Sequence, residues 1–217
     1  MDQMPRYVHR ALDTLNAHQS HSCGGMAALQ DPTARPQNFW FAVTTQTGQE
    51  FAVRRQFAVQ GMLNLLPLWR PRRMWRHCFK RRLEPLFGGF VFVSCAPEML
   101  QGVRHTPGVR RIVGDHDLPL PMDAQAMAAL QTMVAHRLSY WPHLLQYTGW
   151  SARVTQGVLA GAKGRFCIQN RPAHLVINIG LIQRAVAVAV PPETVEILWT
   201  IPQGRHAELA QPSYEIC

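Results

Sequence analysis

Apolar positions first fall into a regular pattern at Phe39, where Phe39-Trp40-Phe41-Ala42-Val43-Thr44-Thr45 forms an aromatic and β-branched run. Such a run predicts a buried strand. Thr47-Gly48-Gln49-Glu50 follows with the S/T-x-x-E spacing of a capping box, and a stretch free of Gly and Pro continues to Gly61; together they predict a helix. Its apolar residues Phe51, Val53, Phe57 and Val59 share no single stripe, so the end signals carry this expectation more than the period does. Leu63 to Trp69 predicts a second strand, interrupted at Pro67 because proline cannot donate to the ladder. Leu86-Phe87-Gly88-Gly89-Phe90-Val91-Phe92-Val93 predicts a third, and the basic run Arg70 to Arg82 between them reads as the solvated tip of a β-hairpin.

Ala96-Pro97-Glu98 has the cap, the proline and the early acid of a helix start, and Pro107-Gly108 ends that short helix. Val109 to Val113 would be the fourth strand. Asp123 can cap a further helix, on which Met127, Leu130, Val134 and Leu138 recur at spacings of 3, 4 and 4. This alternation predicts an α+β sandwich in residues 38–138, a four-stranded antiparallel sheet with helices.

Beyond Leu138 the pattern changes in kind. Residues 139–148 contain Pro142 and no periodicity, which predicts a linker, although Tyr140, Trp141 and Tyr147 suggest packing. Ala152 to Thr155, Arg165 to Gln169, Leu175 to Ile179 and Ala185 to Val190 are short period-two segments, the last with Val186, Val188 and Val190 on one face and alanines on the other. Gly157, Gly161, Gly164 and Gly180 punctuate them. Short strands between glycine turns predict a small all-β barrel over residues 149–199, followed by a tail at 200–217. Residues 1–37, rich in His, Gln, Ser, Ala and Gly and ending in Asp31-Pro32 and Arg35-Pro36, form a poor basis for a core and predict a flexible leader.

Composition adds a partner class. The 217 residues are 47% hydrophobic, and 22 Lys and Arg against 13 Asp and Glu give a formal charge of +9. Polyanions are attracted before any specific contact forms. The excess is concentrated: Phe51 to Leu83 holds nine Lys or Arg and no acid, and Gly149 to Pro192 holds five with none. No segment approaches the ~20 apolar residues of a membrane span, and the first thirty residues lack the apolar stretch of a secretory signal. A cytoplasmic protein with no membrane association is expected.

Cys23, Cys78, Cys95, Cys167 and Cys217 are odd in number and include no C-x-x-C pair, so neither a disulfide framework nor a zinc ribbon is indicated. His18, His21 and Cys23 lie close together in the leader without a second ligand pair. His77-Cys78 lacks a neighbouring acid to orient the histidine, and no Walker A or dinucleotide fingerprint is present. No catalytic residue, metal or cofactor is expected, and the protein reads as a non-enzyme.

The order of pieces is specific. Trp40 opens the first strand, Leu66-Pro67-Leu68 precedes the basic hairpin, Glu84-Pro85-Leu86-Phe87 leads into Gly89-Phe90-Val91-Phe92-Val93, and Thr106-Pro107-Gly108-Val109 precedes Val113-Gly114. With Arg153-Val154-Thr155-Gln156-Gly157, Gly161 and Gly164 further on, the chain resembles a NusG-type amino-terminal (NGN) domain joined to a KOW domain, a small SH3-like barrel. The Glu84-Pro85-Leu86-Phe87 run and the leader lean toward the specialised, RfaH-like paralogues.

The resemblance implies a monomeric transcription elongation or antitermination factor that seats an apolar patch on the clamp helices of RNA polymerase, with Trp40, Pro67, Leu86, Phe87 and Phe90 in or beside that patch. Large rings bury much area at low rotamer cost and make good anchors, but the same residues could fill the core of the sheet. Arg70, Arg72, Arg73, Arg76, Lys80, Arg81 and Arg82 would face DNA, either upstream duplex or the non-template strand, with Trp69 and Trp75 free to stack on an exposed base. A charge run can equally be a solvated face, and Arg54 and Arg55 are weaker candidates.

In the KOW domain the family uses a loop tip to touch ribosomal protein S10 or Rho. Here Ile182 and Arg184 occupy that tip, and Ile182 stands where the housekeeping factor has an aromatic residue. Gly88-Gly89-Phe90 likewise replaces the usual Pro-Gly-Tyr. An RNA-binding or ribosome-associated KOW protein without polymerase contact is the alternative.

Overall fold

The computed structural model describes residues 37–71, 74–75, 78–79, 82–115, 118–145, 149–168 and 172–198. The leader and tail lie outside these. In chain order the elements are β1 (Phe39–Thr45), α1 (Glu50–Val59), β2 (Leu63–Leu65), β3 (Leu68–Trp69), β4 (Met74–Trp75), β5 (Cys78–Phe79), β6 (Glu84–Pro85), β7 (Phe90–Cys95), α2 (Leu100–His105), β8 (Val109–Ile112), β9 (Gly114–Asp115), β10 (Leu118–Pro119) and α3 (Ala124–Ala135). A second series follows: β11 (Tyr140–His143), β12 (Trp150–Val154), β13 (Lys163–Cys167), β14 (His174–Ile179), β15 (Arg184–Ala189) and β16 (Val195–Ile197).

The first series folds around an antiparallel sheet ordered β2-β7-β1-β8. Alternation along β1 and β7 divides their side chains between two layers, since successive Cβ atoms point to opposite faces. Phe41, Val43, Val91 and Val93 pack with Val53 and Phe57 of α1 and with Leu100 and Val103 of α2. Trp40, Ala42 and Phe92 belong to the other side, with Met127, Leu130 and Met133 of α3. The sandwich is therefore helices, sheet, helix, as the periodicity predicts.

The helix ends differ from expectation in instructive ways. The Thr47-to-Glu50 capping box does not form: Gln49 is the N-cap residue of α1 and makes no side-chain cap. The Glu50 carboxylate instead accepts the Gly89 N–H at 2.7 Å, a charge-assisted bond to the turn before β7. Helix α3 is capped as predicted, the Asp123 Oδ2 accepting the Ala126 N–H at 2.9 Å. It stops earlier than Leu138, because Arg137 takes the left-handed region (φ 52). The Arg137 N–H then bonds Val134 O at 3.2 Å and the Leu138 N–H bonds Met133 O at 3.0 Å, a Schellman closure with arginine in the usual glycine position.

The second series forms a six-stranded antiparallel sheet ordered β11-β15-β14-β13-β12-β16. Val186, Val188 and Val190 enter the large core, while Ala185 and Ala187 face a smaller cluster covered by Trp141 and Leu145. The glycines have separate reasons. Gly157 and Gly161 hold φ +81 and +89, which side-chain-bearing residues rarely adopt. A Cβ at Gly164 would run into the Val176 carbonyl oxygen on the adjacent strand.

Two strands of this sheet were not expected. β16 pairs with β12 from Ala152↔Ile197 to Val154↔Val195. β11 lies in the segment predicted as linker and pairs with β15 from Tyr140↔Val188 to His143↔Ala185. Pro142 is tolerated there because β11 is an edge strand and one side of it needs no donor. The connection shrinks to residues 136–139. The hydrophobic core also runs on: residues of the first sheet, α3 and the second sheet share one cluster, and the Tyr140 hydroxyl donates to Leu68 O at 2.8 Å.

Replacing Asp123 with Ala should lower stability by about 1 kcal/mol, the usual effect of removing an N-cap; equilibrium urea unfolding checks this, with an unchanged slope on denaturant expected.

Candidate functional site

The five apolar candidates come from the start of β1, the exit of β2 and the turn before β7. Leu86 and Phe87 are buried in the large core at 4% and 3% exposure, and half-buried Trp40 and Phe90 pack against the same cluster. Pro67 is also buried, and its carbonyl accepts the Leu86 N–H at 2.8 Å. Trp40, Leu86, Phe87 and Phe90 thus converge on the α3 side of the sheet, but in this arrangement Pro67, Leu86 and Phe87 are interior. Phe87 meets Phe92 edge to face, with ring centroids 6.0 Å apart at 88°. Trp40 and Phe90 retain open surface.

The turn holding Phe87 is built from backbone. The Phe90 N–H bonds Phe87 O at 3.1 Å, and Gly89 between them holds φ +82 while its carbonyl accepts the Thr45 N–H at 2.9 Å. Glu50, 6% exposed, reaches the Gly89 N–H from α1. The loss of the usual proline thus falls on Gly88, where a Cβ would meet nothing within 4 Å. The conformationally demanding glycine is kept.

Beside this turn the chain rises into a ladder of short pairs. Leu68↔Pro85 and Trp69↔Glu84 join β3 to β6, and Met74↔Phe79 and Trp75↔Cys78 join β4 to β5. This is the hairpin that the basic run predicted. Residues 38–131, which include the hairpin, the turn and most of α3, match the family model described as "Transcription termination factor nusG". The likeness to the NusG family is through this domain, residues 38–131.

Among solved structures, the chain is similar to the Thermotoga maritima NusG of "Domain interaction in Thermotoga maritima NusG", at 22% identity and TM-score 0.45, covering 75% of this chain and 98% of that one. It is also similar to two conformations of an MjSpt4:Spt5 complex. These give 14% identity, TM-score 0.26 and coverage of 73% and 97%, and 16% identity, TM-score 0.24 and coverage of 74% and 97%. No curated protein matches.

Within residues 38–131, Arg70 and Arg82 are exposed at the base of the hairpin. Arg72, Arg73, Arg76, Lys80 and Arg81 lie outside the described residues, as do the side chains of Trp75 and Cys78. Trp69 is half-buried against the large cluster. In the second sheet, Ile182 is 6% exposed and packs inward, whereas Arg184 at the start of β15 is exposed. Of the two tip residues, only the arginine is presented.

Other chemistry is sparse. Cys95 is buried, and burial, reinforced by the nearby Glu98 charge, pushes its thiol up to about 11, so it stays protonated and unreactive at neutral pH. Burial also raises the Tyr140 hydroxyl above its ordinary value. Among the described residues, no three His, Cys, Asp or Glu side chains gather as a metal would require, and no helix is long and apolar enough to cross a membrane. Sequence inspection missed the Tyr140 contact, because residues far apart in the chain carry no local signal of adjacency.

Gly89→Ala should destabilise the protein by about 1 kcal/mol or more through its left-handed backbone, while Gly88→Ala should be neutral or stabilise by up to about 1 kcal/mol. Paired thermal melts of the two variants check the contrast.

Proposed function

We propose that this protein is a transcription elongation or antitermination factor that binds the clamp helices of RNA polymerase through residues 38–138, touches DNA through the basic hairpin, and recruits a partner through the second sheet, a KOW-type SH3-like barrel. The observation that carries this is the NusG family match across residues 38–131, which includes Trp40, Pro67, Leu86, Phe87 and Phe90, four of which (Trp40, Leu86, Phe87 and Phe90) join one cluster on the α3 side of the sheet. Trp40 and Phe90 are the first anchors to consider, since each combines a large ring with surface that remains open. Pro67, Leu86 and Phe87 act beneath them, fixing the turn and the ring positions.

The hairpin contributes affinity without sequence information: each phosphate neutralised by Arg or Lys releases counterions. Arg70, Arg72, Arg73, Arg76, Lys80, Arg81 and Arg82 are the groups for this, on upstream duplex or the non-template strand. In the second sheet the exposed Arg184 is the better contact for a protein partner such as ribosomal protein S10 or Rho, with Ile182 holding the tip from within. The protein acts as a cytoplasmic monomer and carries out no catalysis.

Native mass spectrometry with purified core polymerase should detect a complex with the wild type, and Phe90→Ala should weaken it at least tenfold while circular dichroism of the same sample stays native. A wild-type protein that ignores polymerase yet retains RNA would sink this proposal and favour a ribosome-associated role. Replacing Arg72, Arg73 and Arg76 with Ser should flatten the salt dependence of DNA binding by about one unit of slope per lost phosphate contact; an unchanged slope removes those arginines from the DNA surface.

A further inference from the structure

Glu50 lies away from the apolar surface assigned to polymerase. It opens α1, whose Val53 and Phe57 pack on one side of the sheet, whereas Trp40 and Phe90 belong to the α3 side. Its carboxylate is nonetheless taken out of water, at 6% exposure, and reaches the Gly89 N–H at 2.7 Å. Burying a carboxylate is costly unless hydrogen bonds replace its hydration, so its place here calls for a reason.

The same glycine is held from its other side. Gly89 O accepts the Thr45 N–H at 2.9 Å, so the two ends of the connection from β1 to α1, the Thr45 main chain and the Glu50 side chain, grip one residue. Gly89 holds φ +82, and the Phe90 N–H closes the turn on Phe87 O at 3.1 Å. Phe90 follows directly and enters β7 opposite Thr44. The setting of the Phe90 ring on the α3 side therefore depends on a turn gripped from the opposite layer.

We propose that Glu50 is a positioning residue for the polymerase contact: it touches no partner itself, and it holds the turn in the shape that presents Phe90. This rests on the polymerase reading given above. Two glycines in succession, Gly88 and Gly89, leave a turn wide conformational freedom unless a contact removes it. Glu50 supplies that contact. A binding-competent shape populated for only a fraction of the time lowers apparent affinity by that fraction, so loss of the grip reaches polymerase through Phe90 alone. A residue that served stability alone would weaken folding and leave the affinity of the folded protein unchanged.

The test uses the full chain and purified core polymerase, with E50A, E50D and E50Q made in the wild type and E50A also made with Phe90→Ala. E50D keeps the charge but is one methylene shorter, while E50Q keeps the length and an acceptor oxygen. E50A and E50D should each weaken polymerase binding about tenfold and E50Q less than about threefold. E50A/F90A should bind no more weakly than F90A, because the first residue acts through the second. In the free protein, hydrogen exchange at the Gly89 and Phe90 amides should quicken in E50A and E50D while β1 stays protected. Should E50A fail to fold, E50D decides. Losses that add in the double variant, unchanged exchange at the turn, or unchanged affinity of folded E50A and E50D overturn the proposal and leave Glu50 a stabilising contact. A wild type that ignores polymerase overturns both readings. One that binds, and is weakened by Phe90→Ala but not by E50A or E50D, overturns this one alone.

Discussion

The antiparallel pairing of β1 with β7, six residue pairs from Phe39↔Cys95 to Thr44↔Phe90, is the constraint on which the rest of the first domain depends. A one-residue slip would send Phe41, Val43, Val91 and Val93 to the α3 side and Trp40, Ala42 and Phe92 to the α1 side. Both cores would be lost together. The register also sets the turn at Phe87 to Phe90, because β7 must begin opposite Thr44, and the Glu50 carboxylate secures that turn from the helix layer. The apolar surface on the α3 side of the sheet is thus positioned by this ladder.

Elements whose signals are local were legible. Asp123 is an N-cap wherever its helix packs, and the valine-alanine alternation of β15 needs no distant information to predict one rich face and one lean one. The same holds for the break between β2 and β3, which Pro67 imposes through its missing N–H. The family resemblance, drawn from ordered motifs over nearly all of residues 39–198, meets a family match in its first part, over residues 38–131.

What was not legible depends on distant contacts. The alternation that marks Leu86 and Phe87 as strand-adjacent and apolar is the same for a core residue and for a surface anchor, and only the packing of α3 against that face decides. Ile182 is a similar case: the short turn over Gly180–Ile182 and the left-handed Gln183 (φ 51) direct it inward. β11 carries no alternation and contains a proline, so its identity as a strand comes from β15. The unformed capping box shows the same competition, since Glu50 has a partner in Gly89 that sequence spacing does not reveal.

Strand β11 also governs how far the two halves of the protein can part. With β11 held in the second sheet, the chain between Ala135 and Tyr140 comprises only residues 136–139. Fully stretched, it spans roughly 17 Å, at ~3.3–3.6 Å per residue. So short a tether would confine the second half to a small volume around the end of α3 even with the shared core and the Tyr140–Leu68 hydrogen bond opened. Whatever either half is holding is then presented to the other at a local concentration of millimolar order, without the two halves having to meet by diffusion.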